Sequence, residues 1–115
     1  MTTTQRGQWA EQWAQKYLCQ QGFISVDQNY RCRYGEIDLI MHNHQTLIFV
    51  EVRYRRHEVR AIESINFIKQ QRLIKTADHF LQMHPWTQDW PCRFDAVLLS
   101  GSVSSPQLQW ISNAF

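Results

Sequence analysis

The sequence predicts an α/β domain with element order α-β-β-β-α-β-β, and three observations carry that expectation. Apolar residues recur every three or four positions over 4–21 and again over 67–83, the spacing of helices with one buried face. Two apolar runs, GEIDLI (35–40) and LIFVEV (47–52), flank a short polar segment, as in a hairpin. Two further β-rich runs, RFDAVLL (93–99) and LQWI (108–111), end the chain.

In the first helix, Trp9, Ala10, Trp13, Ala14, Tyr17 and Leu18 form the apolar face, and Gly22 can end it. Residues 23–31 mix Phe, Ile, Val and Tyr with polar side chains, which suits a partly covered strand. A second strand runs from Gly35 to about 41, a polar turn occupies 42–45, and a third strand covers 46–54. Residues 55–64 are charged and irregular, the pattern of an exposed loop. Asn66 is suited to cap a second helix over 67–83, with Ile68, Leu73, Ile74, Ala77, Phe80 and Leu81 on its apolar side, and Pro85 stops it. The sequence GSVSSP then turns the fourth strand into the fifth. With two helices to cover the sheet, two or three layers are expected.

A chain of 115 residues is one domain by length (1–115), able to bury roughly 60–70% of its unfolded surface without disulfides or a structural metal. Cys19, Cys32 and Cys92 are odd in number and widely spaced, and no CxxC pair occurs, so neither a disulfide framework nor a zinc site is expected. No apolar run approaches the ~18 residues of a membrane span, and MTTTQRGQWAEQ lacks a signal-peptide core, so a cytoplasmic protein with no membrane partner is expected. The net charge is only +2, yet six of the twelve Lys and Arg residues lie between 31 and 60 and all six are Arg: Arg31, Arg33, Arg53, Arg55, Arg56 and Arg60. Their planar forks match phosphate oxygens, which points to a polyanionic partner.

Three carboxylates, Glu36, Asp38 and Glu51, interrupt the central strands. Side chains alternate faces along a strand, so Glu36 shares a face with Asp38, and Glu51 with Arg53. If Met41 opposes Thr46, then Glu36 lies opposite Glu51, Asp38 opposite Phe49 and Tyr34 opposite Arg53. The acids and Arg53 then project together beside Ile40, Leu47 and Phe49. Ile37, Leu39, Met41, Ile48, Val50 and Val52 collect on the other, dry face. Clustered carboxylates require a neutralising cation. Arg53 is one; a hard divalent cation such as Mg²⁺, held by oxygens and open to phosphate, would be another. The alternative is a partly solvated face of surface ion pairs.

Nearly the whole chain resembles the bacterial YraN family of the PD-(D/E)XK superfamily, the fold of restriction endonucleases and archaeal Holliday-junction resolvases. The resemblance is carried by Gly7, Glu11, Ala14, Tyr17 and Leu18, by Gly22, Asn29 and Arg31, by GEIDLI and FVEVR, by Lys69-Gln70 with Arg72-Leu73, and by RFDAV. It implies a restriction-endonuclease-like mixed sheet with an N-terminal helix and a second helix after the central hairpin. It also implies Asp38 and Glu51 as ligands of Mg²⁺ or Mn²⁺, Glu36 as an outer or additional ligand, and Glu11 as an acid brought to the site from the first helix. Gln70 would help orient water or substrate, with Lys69 beside it bordering the site. The family has FVEVK where this chain has Arg53, so the motif lysine is replaced by a bulkier, permanently charged group suited to stabilising phosphate charge. The segment RRHEVRAIES also lacks the glycine the family carries there.

The implied activity is metal-dependent hydrolysis of DNA phosphodiesters, in branched or single-stranded DNA. Arg31, Arg33, Arg55, Arg56, Arg60 and Lys69 would contact the nucleic-acid backbone. The rivals are a catalytically inactive nuclease-fold module that binds DNA or RNA, and a protein-interaction domain with no nucleic-acid role. A homodimer would suit a two-fold substrate such as a junction. The five histidines show no metal spacing. Trp86 and Trp90 are candidates to stack on bases or to cap a core edge, and Asp95 reads as structural, paired with Arg93.

Overall fold

The computed structural model describes residues 1–57 and 65–115. Helix α1 (Thr3–Gln20) starts at a capping box, in which the Thr2 hydroxyl accepts from the Gln5 N–H and Gln5 Oε1 accepts from the Thr2 N–H. Its buried side, Ala10, Ala14 and Leu18, repeats at the spacing of one helical face, and Gly22, at φ +97°, turns the chain out of the helix. Strands β1 (Ile24–Cys32), β2 (Gly35–His42) and β3 (Leu47–Arg55) follow as an antiparallel meander. Helix α2 (Phe67–Met83) is capped by Asn66, whose side-chain oxygen accepts the Lys69 N–H at 2.8 Å. After a single 3-10 turn (Pro85–Thr87), β4 (Cys92–Ser100) pairs parallel with β3, and β5 (Gln107–Ile111) pairs antiparallel with β4.

The result is one mixed five-stranded sheet in the order β1-β2-β3-β4-β5. The two helices cover opposite faces, giving three layers. Ala14 and Leu18 of α1 pack on Leu39, Met41, Ile48, Val50 and Val97. Leu73, Ala77 and Phe80 of α2 pack on Ile40, Leu47, Phe49 and Ala96. Burying side chains such as Leu18 and Phe80 stabilises the fold by roughly 1.5–3 kcal/mol each. All three cysteines are thiols. Among the described residues, no helix is long and apolar enough to cross a membrane.

Three expectations are corrected. Met41 pairs with Ile48, and His42 with Leu47, a slip of two residues from the register that sets Met41 against Thr46. A slip of two preserves which face each side chain takes, so the sorting of β3 survives while every cross-strand partner changes. Carried on one residue past Leu39↔Val50, this register sets Asp38 beside Glu51. Second, Ile37 joins the cluster under α2 and not the one under α1, so strict alternation fails at the open end of the hairpin. Third, Ile68 and Ile74 of α2 are exposed and Thr76 is buried, because the helix rolls so that Leu73, Thr76, Ala77 and Phe80 face the sheet.

Candidate active site

Along the face of β3 beneath α2, Leu47 and Phe49 are core residues, and the next side chain, Glu51, is a carboxylate only 5% exposed. A buried carboxylate needs partners. Among the described residues, two cations meet its Oε1 atom: Lys69 Nζ at 2.7 Å and Arg53 Nη2 at 3.2 Å. Arg53 shares the face because it lies two residues along the strand. Lys69 arrives because Asn66 fixes the first turn of α2 through the Lys69 N–H. Arg53 Nε is buried and finds no hydrogen-bond acceptor among the described residues.

Asp38 sits where β2 and β3 part. The ladder between them ends at Leu39↔Val50, and beyond it the Val52 N–H donates to Asp38 Oδ2 at 2.8 Å in place of a strand carbonyl. Burial, and then the charge of Glu51, push the Asp38 carboxyl up to about 7, against the pull of the Val52 N–H. At neutral pH the pair therefore carries less than its full two negative charges.

Asp38, Glu51, Glu36 and Gly35 form the sheet side of an open cleft of about 440 Å³, and Asn66, Ile68, Lys69, Arg72 and Leu73 form its helix side. Gly35 permits this close approach. Its φ is +152°, and a Cβ there would lie 3.3 Å from Thr76 Oγ1. Glu36 stands at the rim, held by Arg31 Nε at 3.2 Å. Glu11, on α1, is raised above the usual carboxylate range, first by burial and then by Glu36 and Glu51, with a hydrogen bond from Asn29 opposing. The first helix thus brings its acid within the field of the cleft.

Other residues lie elsewhere. The Gln70 amide donates to the Ile65 carbonyl at 3.1 Å, tying the start of α2 to the chain before it, and does not line the cleft. Arg33 lies over its neighbour Tyr34, and Arg55 donates to the Tyr54 carbonyl. Arg56 lines a separate cleft with Arg6, Tyr54 and His57. Arg60 falls outside the described residues. Trp86 and Trp90 cluster with His42 near the opposite end of β3, where His42 pairs with Leu47 and Leu47 with Cys92. Asp95 is fully buried and satisfied by Arg93, Trp110 Nε1 and the Asn113 N–H, a structural acid.

Among the described residues, no three His, Cys, Asp or Glu side chains converge as a ready-made metal cage. Asp38 and Glu51 supply oxygen donors only. That fits Mg²⁺ or Mn²⁺, which take one or two carboxylates and complete their shells with water and substrate phosphate.

Sequence reasoning placed Lys69 on the nucleic-acid backbone and missed its contact with Glu51. The signal was present: Lys69, Leu73, Thr76 or Ala77, and Phe80 recur at steps of four and three, so the buried stripe of α2 opens with a lysine. A cation on a core-facing stripe calls for a buried anion opposite.

The chain is similar over nearly all of its length to proteins described as UPF0102 proteins. It is 49% identical over 113 residues to one from Methylobacillus flagellatus, covering 96% of each chain. It is 50% identical over 112 residues to one from Nitrosomonas europaea, covering 96% of this chain and 92% of the relative. The match to one from Pseudomonas syringae pv. tomato is 44% over 121 residues, covering 99% and 94%. The model of the uncharacterised protein family UPF0102 matches residues 10–99, a span that takes in the whole acid cleft, so the chain belongs to this family, the YraN family.

Proposed function

We propose that this chain is a metal-dependent endonuclease that hydrolyses DNA phosphodiesters in the cytoplasm, with the cleft between β3 and α2 as its active site. The observation that carries this reading is the buried pair Asp38–Glu51 at a cleft mouth, with Lys69 and Arg53 on one Glu51 oxygen.

A divalent cation bound there would supply a lowered pKa for its water and charge stabilisation at the phosphate. Asp38 and Glu51 would hold it, and Asp38 must shed its proton to do so. The Lys69 ammonium, on Glu51 and lining the cleft, would hold a water and a phosphate oxygen together, the work that a motif lysine does. The Arg53 guanidinium, part-exposed beside Glu51, would add positive charge near the phosphate. Glu36, screened by Arg31, borders the entry.

The test is cleavage of branched, single-stranded and duplex DNA with Mg²⁺ or Mn²⁺ by wild type, Asp38→Ala, Lys69→Ala and Arg53→Lys. Metal-dependent cleavage abolished by Asp38→Ala and reduced by Lys69→Ala supports the reading, and a gain with Arg53→Lys measures what the departure from FVEVK costs. A second reading, an inactive DNA- or RNA-binding module, is favoured by the engagement of Arg53 with Glu51. It predicts binding without cutting in all four proteins.

A further inference from the structure

Side chains alternate along β3, so Glu51 and Arg53 turn toward α2 while Tyr54 turns toward α1. On that α1 side a second cleft, of about 620 Å³, lies between the start of α1, the end of β3 and the turn after β4. Its walls are tied together. The Tyr54 hydroxyl donates to the Gly101 carbonyl at 2.5 Å, and the Gly101 N–H donates to the Arg56 carbonyl at 3.1 Å, which joins the strand end to the turn. Trp9 meets the Tyr54 ring edge-on at 5.2 Å, and the Arg6 guanidinium lies 5.7 Å from the centre of the same ring, which seats α1 against β3.

The cleft is basic. Arg6 and Arg56 reach it from different elements, both exposed, His57 adds its ring nitrogens, and no Asp or Glu among the described residues lines it. Two permanent guanidinium charges on one cleft are balanced best by an anion with more than one charge and several acceptor oxygens. A phosphodiester brings a single charge, whereas a phosphomonoester carries about −1.5 to −2 near neutral pH and three terminal oxygens. The volume lies within the range of pockets that take small organic ligands, and Met1 and Val103, 62% and 44% exposed, give apolar surface to whatever carries the phosphate. We propose that this cleft binds a phosphomonoester of nucleotide size, as a free mononucleotide or as the phosphorylated end of a strand, with Arg6 and Arg56 on the phosphate. Asp38 and Glu51 take no part in it, so the site stands whether or not the acid cleft cuts DNA.

The experiment titrates the full chain, in chelator and at low salt, with adenosine 5′-monophosphate and with adenosine, by calorimetry. Wild type should bind the monophosphate and not the nucleoside. Arg6→Gln should weaken binding about tenfold and Arg6→Gln/Arg56→Gln should abolish it, while Arg6→Lys, which keeps charge but not the planar fork, should fall between. Both side chains are exposed, so the variants should melt with wild type. Asp38→Ala should bind the monophosphate as wild type does. A second titration compares one oligonucleotide unphosphorylated, 5′-phosphorylated and 3′-phosphorylated. A preference for a phosphorylated end that Arg6→Gln removes assigns the site to strand ends, and monophosphate binding without such a preference assigns it to a free nucleotide. Equal affinity for adenosine and its monophosphate, no binding of either, or binding untouched by the double substitution would overturn the proposal. Monophosphate binding lost in Asp38→Ala would do so too, by placing the phosphate in the acid cleft.

Discussion

Lys69 Nζ lies 2.7 Å from Glu51 Oε1, joining the first turn of α2 to the middle of β3 through a carboxylate that is almost wholly buried. Lys69→Met keeps the stem and removes the charge, leaving Arg53, among the described residues, to balance Glu51. The Lys69 side chain is 34% exposed, so solvent screens part of the pair. The expected destabilisation is about 1–3 kcal/mol, read by denaturant unfolding at pH 7. A variant as stable as wild type would mean that the contact carries no net stability.

Asp38→Asn should stabilise the protein, and increasingly so as pH rises. The folded carboxyl, pushed up to about 7 from an ordinary 3.8, keeps a proton that the unfolded chain has already lost, so stability falls as pH climbs through that window. Asparagine has no such penalty and can still accept the Val52 N–H. The gain should be near zero at pH 4 and up to about 4 kcal/mol at pH 8. Parallel stability–pH curves for the two proteins would contradict it.

Binding of Mn²⁺ should expel the Asp38 proton, so affinity should rise about tenfold between pH 6 and pH 8. Calorimetry in buffers of different ionisation enthalpy counts the released proton. Asp38→Asn should bind weakly and without that pH dependence. An affinity independent of pH would place the cation elsewhere.

Asp95 is the contrasting acid. Its carboxylate is fully buried but takes bonds from Arg93, Trp110 and the Asn113 N–H, so Asp95→Ala leaves a guanidinium and an indole N–H without partners. A loss of about 3–5 kcal/mol is expected, seen as a lowered melting temperature. Two buried aspartates in one sheet thus respond to substitution with opposite signs.

The fold was legible because its signals are periodic: Ala10, Ala14 and Leu18 of the α1 stripe, the hairpin runs, and the Asn66 and Pro85 boundaries stand where expected, while Trp13, expected on that stripe, is exposed. The hairpin register was not, because the length of the polar turn did not show that Asn43 pairs its N–H with the Thr46 carbonyl and takes the Gln45 and Thr46 N–H groups on its side chain, closing the turn inside Leu47. Asp38, Glu51 and Arg53 were found as a group since strand parity is insensitive to a two-residue slip. Lys69 was missed since its partner is remote in sequence, and Ile68 was misplaced since the roll of α2 is set by packing against the sheet.

Every strand in the sheet lies beside its neighbour in the chain, and three of the four pairings are antiparallel. Such pairings close through short turns soon after both strands exist; the parallel β3–β4 contact must wait for the crossover that includes α2. Asp38, Glu51 and Arg53 belong to the early meander, Lys69 to the crossover. The acids therefore come together once the antiparallel meander has formed, and the lysine that balances them reaches Glu51 only when the crossover has docked α2. The order of assembly itself withholds the finished cleft until the second half of the protein has docked.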